Sequence, residues 1–484
     1  MRTALCAAAL LASGLFAVRA QESQAIVPAV IESAAKTMGV TGLESIQYSG
    51  TGSIFLVGQA ASPGGPWPRF ELARYVASVN YTELAMREET VRRDVEFPPR
   101  GGGAGPFNPA TGQGGMRPIP GDVAQTLVRD GRTGTGAIPI WMTPHGFLKA
   151  ALSSRTLVTR RTSRGRAVQE VVFGTGGRTF SGDINDQHLV ERIGTTVANS
   201  VLGSMPVEVV FSGYRDYGGV RFPTRIVHSQ GGHPTLDLTV TDVRPNGAAT
   251  VTIARTVERG PTAPSPVRTD VEKIADGVFF LTGGAPMSVL VEFSDHVVVI
   301  EAPQDDARSE ATIAAVRRMM PTKPIRYVVN THHHFDHSGG LGGYVAEGIP
   351  IITHEKSKPY FEGIFRNRLR PEPDRVARSR QRAIIETVGD KRVLRDAGMT
   401  LELYHLEGNL HAETLLVAYL PRQKLLVQAD AFHPRPGAPP LASPPPFTVN
   451  LVDNIRRLKL DVERVVHVHG GVDPIAAVVR AAGK

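Results

Sequence analysis

The chain has 484 residues, 41% of them hydrophobic and 21% charged, with a net charge of +8. That length exceeds one ordinary hydrophobic core and predicts two domains or more, and the balance of apolar and charged residues excludes disorder as the overall state. The arginines behind the positive excess are scattered through both halves, are densest between Arg366 and Arg382, and have no interleaved aromatics, so no nucleic-acid partner is expected.

Met1 to Ala20 carries Arg2, an apolar run from Ala4 to Val18 and the ending Val18-Arg19-Ala20, the pattern of a secretory signal that is cleaved. Its removal would take the charge from +8 to +6, since it holds Arg2 and Arg19 and no acidic residue. The run is shorter than the roughly 20 apolar residues that span a bilayer, and no other stretch could span. A periplasmic or secreted protein without a membrane span is therefore expected. Cys6 lies inside this segment, so residues 21–484 contain no thiol, and cysteine takes no part in metal binding or nucleophilic chemistry.

Ser23 to Met38 has helical spacing (Ile26, Val27, Val30, Ile31, Ala34, Ala35) and stops before Gly39. From Ile46 to about Val257 the pattern changes to short β runs cut by glycine and proline, among them Ser53 to Val57, Tyr75 to Tyr81, Val168 to Phe173, Val207 to Phe211, Arg221 to Val227 and Leu236 to Val243, with one helix around His145 to Leu152. Repeated short strands with turn residues between them predict a large antiparallel sheet or half-barrel. Pro98 to Pro120 is dense in glycine and proline and reads as a loop, with no phosphate-cradling motif. His145, His188, His228 and His233 are isolated, and this half shows no catalytic constellation. Arg259 to Pro266 holds three prolines over its last six residues and reads as a linker. The expected domains are therefore a signal peptide (1–20), a mainly β domain (21–258), a linker (259–268) and a C-terminal domain (269–484).

Thr331-His332-His333-His334-Phe335-Asp336-His337 packs four potential metal ligands into six residues, in the pattern H-x-H-x-D-H. The apolar run Ile325 to Asn330 before it reads as a buried strand, and Ser338-Gly339-Gly340 after it removes bulk. Side chains alternate in an extended segment, so His332 and His334 share one side and His333 faces away. Asp336 and His337 come after the turn and can approach from a second direction to hold a second ion. Neutral imidazole and carboxylate are the donors that zinc takes.

On this loop, the segment from about Val271 to the C-terminus resembles the metallo-β-lactamase-fold hydrolase superfamily. The resemblance implies a C-terminal αβ/βα sandwich of two sheets with helices outside; with the mainly antiparallel, half-barrel-like β domain read before it, the expected fold class is α+β. Strands at Val278 to Leu281, Ser288 to Phe293 and His296 to Ile300, a helix at Asp306 to Met319 and the strand before the histidine loop follow the first half of that fold. Lys356 to Arg395, polar and arginine-rich, reads as a solvated helical insertion with breaks at Pro371 and Pro373.

The resemblance also implies the remaining ligands. His411, between the strands Leu401 to His405 and Leu415 to Leu420, falls where the family places its third histidine, although Ala412-Glu413-Thr414 replaces the usual glycine-bearing turn. Asp430 ends the strand Lys424 to Ala429, where hydrolase branches of the family place a carboxylate that bridges two ions about 3.5 to 4 Å apart. His469, directly before Gly470, is taken as the last ligand, with His467 two residues earlier as its alternative. His333, His354, His405 and His433 read as supporting or surface groups. Metal one would then be held by His332, His334 and His411, and metal two by Asp336, His337 and His469, with Asp430 between them. The implied activity is that of a dinuclear zinc hydrolase, iron or manganese being the other candidate metals. A metal-bridging hydroxide, oriented by Asp336 as the catalytic residue, would attack an ester, lactone, thioester, phosphodiester or amide-type small molecule. Two other readings stand beside it: a mononuclear iron relative that oxidises sulfur, and an envelope ligand-binding protein with a vestigial metal site.

Overall fold

A computed structural model describes residues 28–96, 98–102, 107–108, 113–114, 122–132, 136–163, 165–247, 267–367, 375–434, 437 and 443–484. The signal segment, nearly all of the linker and most of the glycine-rich stretch lie outside the described residues. The first described element is α1 (Ala29–Thr37), whose Ile31, Ala34 and Ala35 are buried at helical spacing.

An eleven-stranded sheet follows in the order β6-β3-β2-β1-β13-β12-β11-β10-β9-β8-β7. Its strands are β1 (Ser45–Phe55), β2 (Arg69–Asn80), β3 (Ala85–Asp94), β6 (Asp122–Asp130), β7 (Thr156–Ser163), β8 (Arg166–Thr175), β9 (Arg178–Ile184), β10 (Val190–Asn199), β11 (Gly203–Asp216), β12 (Arg221–Gln230) and β13 (His233–Pro245). Each neighbouring pair is antiparallel. Among the described residues the short strands β4 (Phe107–Asn108) and β5 (Gln113–Gly114) pair with each other. The helices α2 (Ile138–Trp141) and α3 (Pro144–Leu152) bury Ile140, Phe147 and Leu148 in one core with Tyr48, Leu72, Phe180 and Phe222 of the sheet. A cavity of about 190 Å³ is lined jointly by Arg129 of β6, Glu88 of β3, Val209 of β11 and Val197 of β10. Laid flat, β6 and β10 would stand roughly 33 Å apart at normal strand spacing. Both reach one small cavity, so the sheet curls around its helices, as the half-barrel expectation required. His145 donates from Nε2 to the Met38 carbonyl at 3.0 Å and stacks on Phe222, which makes it a packing group, as expected.

The C-terminal half contains two further sheets. The first is seven-stranded in sequence order, β14 (Asp270–Ala275), β15 (Val278–Thr282), β16 (Ser288–Glu292), β17 (Val297–Ile300), β18 (Ile325–Val329), β19 (Ile351–His354) and β20 (Ile385–Val388). The second contains β21 (Lys391–Arg395), β22 (Thr400–His405), β23 (Leu416–Leu420), β24 (Leu425–Gln428), β25 (Arg464–His467) and β26 (Val472–Pro474). The period of two in β16 and β17 builds the layers. Val289, Val291, Val298 and Ile300 pack against Leu401, Leu403 and Leu426 of the second sheet, while Leu290, Val297 and Val299 pack against Ile313 and Val316 of α4 (Asp306–Met319). Beyond the histidine loop and its one-turn helix α5 (Phe335–Ser338), α6 (Leu341–Ala346) shares the α4 layer, and α9 (Pro446–Arg457) covers the second sheet with Leu451, Val452 and Ile455. Both faces of β16, β17 and β23 are therefore buried, and each fully buried aliphatic side chain contributes about 1.5–3 kcal/mol. Among the described residues no helix is long and apolar enough to cross a membrane.

One sequence expectation needs correction. The polar run from Lys356 to Arg395 is helical only in part, as α7 (Lys358–Asn367) and α8 (Arg375–Ser379). Its last stretch supplies β20 and β21, which pair with β19 and β22. β21 alternates Lys391, Val393 and Arg395 toward solvent with Arg392 and Leu394 half-buried, so its charges belong to an edge strand and not to a helix.

Candidate metal centre

β18 ends at Val329, and Asn330 and Thr331 carry the chain out of the first sheet with their side chains already buried. The extended backbone at His334 then gives way to α5, which turns Asp336 and His337 back toward His332. Gly339 and Gly340 permit this. A Cβ on Gly339 would lie 1.9 Å from the Gln304 carbonyl oxygen, and one on Gly340 2.1 Å from Ser309 Oγ. His411 sits between β22 and β23, Asp430 just beyond β24, and His469 just beyond β25.

The fold brings all seven residues together in two overlapping groups. His332, His334, His411 and Asp430 form one, and Asp336, His337, Asp430 and His469 the other; within each group the donor atoms all lie within 4.8 Å of one another. Asp430 belongs to both through different oxygens. Oδ2 lies 2.9 Å from His411 Nε2 and 3.7 Å from His332 Nε2, while Oδ1 lies 3.1 Å from both His337 Nε2 and His469 Nε2. Asp336 Oδ2 stands 3.4 Å from His337 Nε2 and 3.8 Å from His469 Nε2. His467, the alternative to His469, turns the other way: it is fully buried with Nδ1 accepting from the Gln428 amide at 2.7 Å, and burial lowers it to about 3.

These spacings fit metal ions. With zinc–nitrogen bonds of about 2.0–2.1 Å, donors at the corners of a tetrahedron stand about 3.3 Å apart. His337 Nε2 and His469 Nε2 face each other at 3.0 Å, close enough to share either a proton in an N–H···N hydrogen bond or a metal ion. His332 Nε2, His334 Nδ1 and Asp430 Oδ1 are buried without hydrogen-bond partners, a cost that coordination would remove. Burial first, then neighbouring imidazoles, hold His332 and His334 well below the usual histidine range, so both are neutral donors. Burial also pulls His337 down, yet the charges of Asp430, Asp336 and Glu301 together raise it well above its usual value. Burial likewise opposes ionisation of Asp430, and His337, His469 and His411 outweigh it, so its carboxyl lies well below the usual range. The pocket therefore gathers carboxylate charge around imidazole nitrogens and calls for positive charge at its centre.

The outer contacts select ring tautomers. A carbonyl only accepts, so His333 and His334 both donate from Nε2 to the Ala60 carbonyl, at 2.9 and 2.8 Å. That leaves His334 Nδ1 as the donor atom facing its group, and His333 Nδ1 to accept from Thr414 Oγ1 at 3.2 Å. His333 is thus turned away from the cluster, as strand alternation predicts. His337 donates from Nδ1 to Glu301 Oε2 at 2.9 Å, and the Thr331 N–H donates to Glu301 Oε1 at 3.0 Å. His433, read from sequence as a supporting or surface group, stacks on His469 with ring centroids 4.7 Å apart.

Sequence reasoning missed three participants. Glu301 is a fully buried acid one residue past the apolar strand β17, and an acid in that position was the available signal. Gln59, whose Nε2 donates to Asp336 Oδ1 at 2.8 Å, and Ala60 lie in the loop between β1 and β2 of the other domain, where the sequence shows no sign of chemistry.

Two sheets between helices, with a strand-end H-x-H-x-D-H loop and two carboxylate-linked donor groups, define a metal-dependent hydrolase domain. Residues 281–469 match the model of the metallo-beta-lactamase superfamily, and the C-terminal domain belongs to that superfamily. Similar solved structures include a metallo-beta-lactamase from Pontibacter korlensis (19% identity, 45% of this chain and 98% of that one, TM-score 0.35). The metallo-beta-lactamase FIM-1 from Pseudomonas aeruginosa in its mono-zinc form (17%, 46% and 96%, 0.34) and a metallo-beta-lactamase from Hirschia baltica (18%, 45% and 97%, 0.35) are also similar. No curated protein matches the chain.

Proposed function

We propose that the chain is an exported dinuclear zinc hydrolase acting on a small ester, lactone, thioester, phosphodiester or amide-type substrate. The observation that carries this reading is the position of Asp430, whose two oxygens face separate groups of imidazoles. His332, His334 and His411 would hold one ion, and Asp336, His337 and His469 the other. Bound there, the ions would supply Lewis acidity and a water acidified toward pKa ~7.

The chain's own residues provide orientation. Asp336 has a side chain 38% exposed, far more than any other member of the two groups, so it is the one that reaches an incoming molecule. Burial raises its carboxyl, but His337 and His469 hold it below the usual range, so it stays ionised. An acid that weakly basic suits an acceptor that orients the attacking water, not a base that removes its proton. No protein nucleophile is required. The mononuclear iron reading uses one histidine group with Asp430 and gives no role to the facing nitrogens of His337 and His469.

Purified protein is expected to carry close to two transition-metal ions per chain, mainly zinc, and to hydrolyse at least one member of a panel of lactones, thioesters, phosphodiesters and β-lactams. Elemental analysis finding one iron per chain, with no turnover on the panel, would replace this reading by the sulfur-oxidising one. Export is supported by the charged, apolar and small-residue pattern of Met1 to Ala20 and by the absence of cysteine from residues 21–484. Intact mass of exported protein should show Gln21 as the first residue, and retained Met1 would contradict it.

A further inference from the structure

The two domains meet at the metal centre. The loop between β1 and β2, residues 56–68, lies against two of the ligand-bearing loops of the C-terminal domain, the histidine loop and the loop that holds His411. The Phe335 N–H donates to the Gly58 carbonyl at 3.3 Å, and the Glu413 N–H to the Ala61 carbonyl at 2.9 Å. The Ala60 carbonyl takes the N–H groups of His333 and His334. A second piece of the sheet domain locks the arrangement from behind, with Gly102 N–H donating to the Gln59 carbonyl at 3.0 Å and Gly101 N–H to the Leu410 carbonyl at 2.8 Å. The loop is shaped for this position. Gly58 has φ +72°, and a Cβ there would lie 2.2 Å from the Phe335 ring; a Cβ on Gly102 would lie 2.0 Å from Gln59 Oε1.

From that platform Gln59 reaches Asp336. Its Nε2 donates to Oδ1 at 2.8 Å, and Oδ2 is the oxygen directed at His337 and His469. The other members of the two groups are buried and fixed by packing. Asp336 stands at the opening on a one-turn helix, where a carboxylate free to rotate would share its time among several rotamers.

We propose that the sheet domain completes the metal centre, with Gln59 as the positioning residue that sets the carboxylate of Asp336 for the second ion. This rests on the dinuclear reading above. It gives the N-terminal domain a task in the chemistry: the ligand geometry of one domain depends on an amide supplied by the other. A partner that orients a ligating carboxylate is worth about 10- to 100-fold in metal affinity.

The test is a titration of the metal-free full-length protein with zinc, and separately with cobalt as a spectroscopic probe, for wild type and Gln59→Leu, a change of similar volume that removes the donor. Two binding steps are expected in the wild type. In the variant the first should be unchanged within about threefold and the second weakened about 10- to 100-fold, with the later cobalt absorption shifted to higher metal concentration and the melting temperature of the metal-free protein unchanged. Gln59→Ala should reproduce the effect and decides the matter if the leucine variant fails to fold. Equal second-step affinity in wild type and variants would overturn the proposal. So would parallel loss of both steps with a lowered melting temperature, because that is what simple domain packing predicts. A wild type that binds only one ion would instead overturn the dinuclear reading, and this proposal with it.

Discussion

Asp430→Ala is expected to lower turnover by at least about 10- to 100-fold while leaving the protein folded. A contact one shell further out typically costs 10- to 100-fold, which sets the lower bound for a residue proposed to lie between two ions. The geometry gives the reason. Oδ2 faces His332 and His411, Oδ1 faces His337 and His469, and among the described residues no other carboxylate belongs to both groups. Without it the first group keeps three imidazoles, enough to hold one ion, while the second keeps Asp336, His337 and His469 but loses the anion that offsets repulsion between two dications. Metal content should therefore fall from about two to about one per chain. Stability should change mainly through lost metal linkage, a few kcal/mol at most. Turnover and metal content of the variant and wild type, measured side by side on any substrate the wild type hydrolyses, check this. A variant that kept both ions and near-normal turnover would exclude a bridging role for Asp430.

What the sequence made legible follows from the range of the interactions involved. The histidine loop could be read because strand alternation is local: His332 and His334 on one side and His333 on the other need no knowledge beyond their neighbours. Asp430 and His469 each follow closely on an apolar strand and His411 lies in the loop between two strands, so their clustering was readable through the family resemblance. The edge strands β20 and β21 were misread because the few apolar residues among their charges leave little periodicity to detect. Gln59 and Ala60 were invisible for a different reason. They act across 277 and 274 residues of sequence, through one amide and one backbone carbonyl, and neither group has a composition or spacing that marks it. A domain with no catalytic constellation of its own still supplies hydrogen-bond partners to four members of the histidine loop, His333, His334, Phe335 and Asp336.

Glu301 is the residue where fold and site are most tightly joined, and two substitutions there should separate the contributions. It is fully buried and adopts φ +77°, a left-handed conformation that costs a side-chain-bearing residue about 1–3 kcal/mol. That strain persists because its two oxygens take the Thr331 N–H and the His337 Nδ1–H on either side of the histidine loop. Glu301→Ala would leave both donors buried without acceptors, at about 1–3 kcal/mol each, and would keep the strained backbone, so a loss of about 2–6 kcal/mol is expected in chemical denaturation. Glu301→Gly relieves the backbone alone and should recover about 1 kcal/mol of that. Glu301→Gln is the informative case for function. Its amide oxygen can keep the Thr331 N–H, but its NH₂ then faces His337 Nδ1 and favours the tautomer with the proton on Nε2, the atom directed at Asp430 and His469. The variant should fold nearly as well as wild type yet bind the second zinc about 10- to 100-fold more weakly. Zinc titration of the metal-free protein reads this directly, and a Glu301→Gln variant with wild-type affinity at both steps would show that the Glu301 carboxylate serves the backbone turn only.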